Sequence, residues 1–136
     1  MRGYQLVDAP SADYQAEDAH ISQGVVESNH TGFTGSGFVN YSNVRGGYVE
    51  WTVNAATAAN ATLAIRYANG TTTNRPMDIT VNGTVVSAGQ AFNPTANWDT
   101  WVTSSLTIPL KSGANTIRAT ATTASGGPNV DKIKIS

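Results

Sequence analysis

Short segments of alternating apolar and polar residues constrain the fold of this chain more than any other feature. The clearest is Gly47–Val53, where Val, Trp and Val occupy one face of an extended strand and Tyr, Glu and Thr the other. No ten-residue window shows an apolar period of 3.6, which argues against amphipathic helices. The Asn82–Gly83 pair is typical of a two-residue hairpin turn. The pattern predicts nine or ten short strands in an all-β sandwich.

Length and charge narrow the possible functions. The 136 residues suit one domain with a real core, and we interpret residues 1–12 as a tail or linker before a module at 13–136. A net charge of -1, with 12% charged residues, gives no basic patch for nucleic acid or an anionic membrane. No apolar run approaches the ~20 residues of a membrane span. The absence of cysteine excludes disulfides and thiolate metal sites.

Oxygen-bearing side chains recur near the two ends of the module. In the last strand Asp131 shares its parity with the apolar Ile133, and in the first Gln15 and Glu17 share theirs with Ile21. A carboxylate facing the buried side is costly unless it is paired or bound to a metal. A hard cation such as Ca²⁺, which takes oxygen ligands, would satisfy these residues. The alternative is that they are surface acids at strand ends.

A polar loop between two predicted strands is the best candidate for a ligand site. The segment 66–78 offers carboxamides, hydroxyls and Arg75, a set that suits hydrogen bonding to a polyol and bidentate pairing with a carboxylate. In a later loop, Trp98 could present its ring to a sugar face or simply pack against the loop. Tyr41 and Asn129 follow or precede strands, and could be turn residues or contacts.

Motifs of catalysis are missing. The sequence contains no G-x-S-x-G elbow, no His-x-x-Glu-His metal motif and no Gly-rich phosphate loop before a helix. Glycoside hydrolysis needs two facing carboxylates, and no pair among the nine acids is visible. We expect a chain without catalytic activity, with a cryptic hydrolase as the alternative.

Four segments, in order, resemble carbohydrate-binding module family 35, which is related to family 6. They are Tyr14–Ala19, Gly46–Val53, Arg66–Gly70 with Asn74–Pro76 and the following Asn-Gly turn, and Asn129–Ile133. The resemblance runs from about Tyr14 to Ser136. It implies a β-sandwich of jelly-roll type, a non-catalytic role and attachment to a secreted enzyme that degrades polysaccharides.

The resemblance also implies two sites. A structural calcium would be held by Gln15, Glu17 and Asp131, the residues that strand parity also selects. The sugar would bind in the loops at one end of the sandwich, at Tyr41, Asn69, Arg75, Trp98 and Asn129. One branch of the family has a second calcium at the ligand site, for which the 31–36 turn or the 69–73 loop would supply carbonyls.

Among the ligands of the family, Arg75 favours uronic acids: glucuronic acid or unsaturated galacturonic acid. We therefore expect a secreted, monomeric, calcium-dependent module that binds plant cell-wall or related polysaccharides and targets a covalently linked catalytic domain. Neutral galactose or β-mannan remains an alternative ligand, and a structural sandwich without a sugar site an alternative role.

Overall fold

The computed structural model describes residues 12–136, which form two stacked antiparallel sheets. The strands are β1 (Ala12–Gln15), β2 (His20–Ser22), β3 (Gly24–Glu27), β4 (Phe38–Tyr41), β5 (Tyr48–Ala55), β6 (Ala59–Ala68), β7 (Met77–Val81), β8 (Thr84–Gln90), β9 (Val102–Leu110), β10 (Gly113–Ala121) and β11 (Asn129–Ile135). A short 3-10 turn, Ala16–Asp18, links β1 to β2. The predicted all-β sandwich of jelly-roll type is confirmed.

The first sheet has the order β3-β4-β11-β6-β9, and β1 also pairs with β11. The second has the order β2-β5-β10-β7-β8. The predicted tail lies outside the described residues except for Ala12, which already pairs with Ile135. None of the described residues forms a helix long and apolar enough to cross a membrane.

The core lies between the sheets and follows the alternation of the sequence. Val49, Trp51 and Val53 of β5 are at most 2% exposed, and Leu63 and Ile65 of β6 are fully buried opposite them. The predicted hairpin joins β7 to β8, with φ of 51° at Asn82 and 83° at Gly83, as such turns require.

In the first and the last strand of the module, the simple alternation of buried and exposed side chains is interrupted, for different reasons. Along β11 the register shifts between Val130 and Lys132, so Val130 and Ile133 both enter the core and Asp131 is the extra residue of a bulge. At the other end, β1 stops at Gln15 and the 3-10 turn breaks the alternation before Ile21. Asp131 is fully buried, but beneath the turn 29–36 rather than on the core face with Ile133.

Candidate functional site

Several loops converge at one end of the sandwich. The 69–76 loop precedes β7, the 91–101 loop precedes β9 and the 122–128 loop precedes β11. Arg75 donates from Nη1 to the carbonyl of Gly127 at 3.2 Å, and Thr95 N donates to the carbonyl of Asn69 at 2.8 Å. These contacts join three loops that are distant in sequence, so the predicted position of the site at one end of the sandwich has a structural basis.

Arg75 is partly buried among these loops. Its guanidinium carbon lies 5.7 Å from the centroid of the Trp98 ring, and its Nε is buried without a hydrogen-bond acceptor in the described part of the chain. Burial lowers the pKa of Arg75 from its ordinary value, but a guanidinium stays protonated. Within residues 12–136 it has no carboxylate at ion-pair distance, whereas Arg66 pairs with Asp131 and Arg118 with Glu50.

Trp98 forms the aromatic wall of the site. Its indole lies directly on Gly70, where a Cβ would come within 2.6 Å of Trp98 Cγ. The His30 ring is 6.3 Å away, centroid to centroid, and Arg75 lies over the indole. Because the ring is only partly buried, it retains surface that a sugar face could cover.

Asn129 begins β11, two residues after Gly127, whose carbonyl accepts a hydrogen bond from Arg75. It pairs in register with Ala68 on one side and Asn40 on the other, and the residue is 4% exposed. No hydrogen bond links its side chain to another part of residues 12–136. Contact between Asn129 and a ligand therefore stays a prediction.

Asn69 has a different position from the one predicted. It is fully buried, and all four hydrogen-bonding positions of its side chain are used within the loops. Nδ2 donates to the carbonyls of Thr73 at 2.9 Å and Phe92 at 2.8 Å, and Oδ1 accepts from Thr71 N and Oγ1. The prediction that Asn69 bonds a sugar hydroxyl is wrong in this structure, because no donor or acceptor remains.

Tyr41 also lies beneath the site rather than in it. The side chain is 2% exposed, and its hydroxyl donates to the carbonyl of Ala119 at 2.8 Å. Burial raises the pKa of Tyr41. The ring supports Gly127, where a Cβ would lie 2.9 Å from the ring. The prediction of direct ligand contact by Tyr41 is wrong here, since its parity with Val39 turns it into the core.

The three predicted metal ligands are brought together under the turn 29–36. Thr34 donates from its backbone N to Asp131 Oδ1 and from Oγ1 to Asp131 Oδ2, both at 2.9 Å. Gln15 Nε2 donates to Thr34 Oγ1 at 3.1 Å, and Ser36 N donates to Glu17 Oε2 at 3.0 Å. The turn therefore covers all three side chains.

Two details of this cluster bear on metal binding. Glu17 Oε1 is buried, and no donor among residues 12–136 bonds it, which is costly for a carboxylate oxygen without a cation. A Cβ at Gly35 would overlap Glu17 Oε2 and lie 2.8 Å from Gln15 Oε1, so both oxygens converge below the Gly35 backbone. Within the described residues no group of three His, Cys, Asp or Glu occurs, and the donors here are two carboxylates and one amide. An oxygen-only set with an orphaned carboxylate oxygen fits Ca²⁺.

Arg66 belongs to this cluster, which the sequence pattern did not indicate. Its Nη1 donates to Asp131 Oδ2 at 2.7 Å and to the carbonyl of Gly32 at 2.8 Å. Along β6, Arg66 alternates with the buried Ile65 and Tyr67, so the Arg66 side chain lies on the outer face of the sheet. Its partner was not evident, because the bulge at Asp131 is not encoded by any alternation.

The turn 29–36 also contacts the loop that carries Trp98. Asp99 Oδ1 accepts from Thr31 N at 2.9 Å and lies 3.3 Å from His30 Nδ1, and Trp101 Nε1 donates to the carbonyl of Thr31 at 2.8 Å. The hydrogen bond from Thr31, together with His30, lowers the pKa of Asp99. The two sites are thus neighbours connected by one turn.

Chemically, the loop site combines a partly buried cation at Arg75 with the partly buried indole of Trp98, and the predicted contact residue Asn129 follows in the same group of loops. This set can pair with a carboxylate, stack on an apolar ring face and bond a hydroxyl.

Known proteins resemble the chain over nearly its whole length. The family model for carbohydrate-binding modules of family 6 matches residues 15–136. An exo-β-D-glucosaminidase of Amycolatopsis orientalis is 57% identical over 123 residues, which cover 90% of this chain and 12% of that enzyme. The endo-1,4-β-xylanase B of Cellvibrio japonicus is 42% identical over 82% of this chain and 19% of its own length. The chain thus spans less than a fifth of either enzyme.

Solved structures of carbohydrate-binding modules also resemble the chain over nearly its whole length. A family 35 carbohydrate-binding module from Clostridium thermocellum has a TM-score of 0.91 and 50% identity, with 93% of this chain and 98% of that chain covered. The module Xyl-CBM35, solved in complex with a disaccharide that contains glucuronic acid, has a TM-score of 0.84 and 38% identity, with 91% of each chain covered. The chain therefore belongs to the carbohydrate-binding modules of the family 6 model, and within them it is a module of the family 35 type.

Proposed function

We propose that this module is non-catalytic, recognises a terminal uronic acid with the help of calcium, and directs an attached secreted enzyme to plant cell-wall or related polysaccharides. The ligand would be glucuronic acid or unsaturated galacturonic acid. Its carboxylate pairs with Arg75, its ring lies against Trp98, and Asn129 bonds a hydroxyl.

One observation carries this proposal. Arg75 is held by Gly127 and Trp98 but has no acidic partner in residues 12–136, while Arg66 and Arg118 each have one. A partly buried guanidinium without an anion gains most from a ligand that brings one. A neutral sugar would leave this charge uncompensated. The complex of the related Xyl-CBM35 with a glucuronic acid-containing disaccharide supports the same ligand class.

The proposed calcium would be held by Gln15, Glu17 and Asp131. The orphaned Glu17 Oε1 and the convergence of oxygens below Gly35 support this assignment. A bound Ca²⁺ would supply charge that fixes the turn 29–36 against the chain ends. The second calcium at the ligand site stays a prediction.

The targeting role follows from the enzymes in which related modules occur. The chain corresponds to about an eighth of the exo-β-D-glucosaminidase and about a fifth of the endo-1,4-β-xylanase B. In each relative, a region similar to this module is therefore a small part of a much larger polypeptide. An independent binding module raises the local concentration of an attached enzyme on its polymer. Secretion is part of the proposal, because polymers of this kind lie outside the cell.

Titration calorimetry tests the ligand. Glucuronic acid, galactose and mannan oligosaccharides are titrated into the module, with Ca²⁺ and with EDTA. We expect binding of glucuronic acid on the order of 10–100 μM, because a small ligand in an open site makes few contacts to offset the cost of association. Trp98→Ala should weaken it.

The other outcomes contradict the proposal in distinct ways. Galactose or mannan binding without glucuronic acid binding would move the module to the neutral-sugar branch. No binding to any of these sugars would favour a structural sandwich domain. Glucuronic acid binding unchanged in EDTA would exclude the role of calcium. Release of sugar from a polysaccharide by this chain alone would overturn the non-catalytic assignment.

A further inference from the structure

We infer that Asn69 and Thr95 are positioning residues that hold the Trp98 indole and Arg75 in one fixed arrangement. The inference rests on the proposed function, because it assigns how the sugar-binding wall is built. It also replaces the predicted contact role of Asn69 with one that its surroundings support.

Asn69 and Thr95 join two loops by reciprocal hydrogen bonds. Asn69 N donates to Thr95 Oγ1 at 2.9 Å, and Thr95 N donates to the carbonyl of Asn69 at 2.8 Å. Thr95 Oγ1 in turn donates to the carbonyl of Asn97 at 3.0 Å, next to Trp98. Thr95 is 7% exposed and Asn69 is fully buried, so water cannot easily replace these bonds.

The side chain of Asn69 shapes its own loop and anchors it to the neighbouring one. One Nδ2 hydrogen bond reaches the Thr73 carbonyl and the other reaches the Phe92 carbonyl. The Asn74 Oδ1 atom accepts from Phe92 N at 2.7 Å, and Arg75 N donates to the Phe92 carbonyl at 3.3 Å. The Asn74 side chain and the backbone N–H of Arg75 are therefore fixed to the loop that carries Trp98.

Gly70 completes the arrangement. It follows Asn69 directly, and its Cα lies against the indole so closely that a Cβ would come within 2.6 Å of Trp98 Cγ. Gly70 thus restricts movement of the indole on one side, and the guanidinium carbon of Arg75 lies 5.7 Å from the ring centroid. A ring held in this way loses little rotamer freedom when a sugar stacks on it, which favours binding by preorganisation.

Three substitutions test this arrangement. Thr95→Val keeps the shape but removes the hydroxyl that serves Asn69 N and the Asn97 carbonyl. Thr95→Ser keeps the hydroxyl and serves as the rescue variant. Gly70→Ala forces the indole away from its present position without removing any hydrogen-bonding side chain.

A matched control lies at the opposite end of the sandwich. Asn115 is 1% exposed, and its Nδ2 donates to the carbonyls of Lys111 at 2.9 Å and Gly113 at 3.0 Å. Asn115→Ala therefore removes a buried amide that shapes a turn between β9 and β10, far from Trp98. It should lower the melting temperature without changing the site.

Two measurements are made on each folded variant. Calorimetry gives the affinity for glucuronic acid, and the NMR signal of the Trp98 indole N–H, assigned by its loss in Trp98→Phe, reports the ring position without any sugar. We expect Thr95→Val and Gly70→Ala to shift the indole signal and to weaken binding on the order of tenfold. Thr95→Ser and Asn115→Ala should leave both close to wild type.

The two hypotheses fail in different ways. An indole signal unchanged in both Thr95→Val and Gly70→Ala would overturn the positioning role, whatever the sugar result. A shifted signal in a protein whose wild type binds no glucuronic acid would support the positioning role and refute the proposed ligand. Equal loss of affinity in Asn115→Ala would show a general effect of stability and would overturn the inference.

Discussion

The guanidinium of Arg75 lies over the indole of Trp98, with 5.7 Å between the guanidinium carbon and the ring centroid. The two residues come from loops on either side of the β7–β8 hairpin. A cation on an aromatic face is attracted by the ring quadrupole, so each side chain orients the other. The pair places a positive charge next to a partly buried indole, the two features that the proposed uronic acid ligand requires.

Replacing Arg75 should remove the preference for an acidic sugar. Arg75→Ala should weaken glucuronic acid binding roughly 10- to 100-fold, because a hydrogen bond to a charged group contributes about 1.5–3 kcal/mol. Arg75→Lys should recover part of the affinity, since Lys keeps the charge but not the bidentate geometry. Lys111→Ala, at the opposite end of the module, is the control for loss of one positive charge. Similar affinity in wild type and Arg75→Ala would refute the pairing.

Calcium should stabilise the fold through Glu17. At a calcium concentration 100 times its Kd, a site present only in the folded state adds about 2.7 kcal/mol to the free energy of unfolding. Thermal melts of wild type should therefore shift upward from EDTA to calcium. Glu17→Gln should reduce this shift, because an amide replaces the carboxylate whose Oε1 lacks a partner.

Glu27→Gln is the matched control, since Glu27 Oε1 accepts from Asn40 Nδ2 at 2.9 Å and, within residues 12–136, Glu27 makes no side-chain hydrogen bond to Gln15, Glu17 or Asp131. It should retain the full calcium shift. Equal melting temperatures of wild type in calcium and in EDTA would contradict the structural calcium.

Asp99 should make stability depend on pH in the acid range. The Thr31 hydrogen bond and His30 hold its pKa below the ordinary value of 3.8. A carboxyl whose folded pKa is lowered stabilises the fold above its unfolded pKa, and this contribution disappears as the pH falls through the folded value. The difference in melting temperature between wild type and Asp99→Asn should therefore be constant near neutral pH and shrink below about pH 5. A difference that grows on acidification would contradict the assignment.

Tyr41→Phe separates a core role from a ligand role. The substitution removes the hydrogen bond that the Tyr41 hydroxyl donates to the carbonyl of Ala119 inside the core, which should cost roughly 0.5–1.5 kcal/mol of unfolding free energy. Affinity for glucuronic acid should stay within twofold of wild type, because the side chain is 2% exposed. Denaturant unfolding and calorimetry measure the two effects. A large loss of affinity with unchanged stability would restore Tyr41 as a ligand contact.

Part of the candidate site can be predicted from the sequence, and the misplacement of Tyr41 and Asn69 has one cause. Arg75 and Trp98 lie together, since loop residues next to strand ends gather where the strands end, and Asn129 follows two residues after the Gly127 carbonyl that Arg75 contacts. Tyr41 and Asn69 were placed in the same set, yet both belong to the layer below. The identity of a residue gives its chemistry, but whether its polar atoms are already occupied depends on neighbours such as Ala119 and Phe92.

The residues that pack behind the site are also not recognisable from the sequence alone. Thr95 and Gly70 carry no motif that marks them, and their roles appear only when two loops are seen to meet. Nothing in the sequence pairs Arg66 with Asp131, yet in the structure Arg66 neutralises Asp131 across a bulge. The alternation of apolar and polar residues in the sequence does not predict that bulge.

The sequence by itself determined the two-sheet fold, the hairpin at Asn82–Gly83 and the burial of residues such as Trp51. These follow from local preferences: side chains alternate along an extended strand, and only certain residues adopt the turn. Within residues 12–136, tertiary structure alone decided that Arg75 has no acidic partner and that Glu17 Oε1 lacks a donor. It also decided that the side chain of Asn69 is fully hydrogen-bonded within the loops. Such pairings are set by the packing of distant loops, which depends on the whole fold rather than on any one segment.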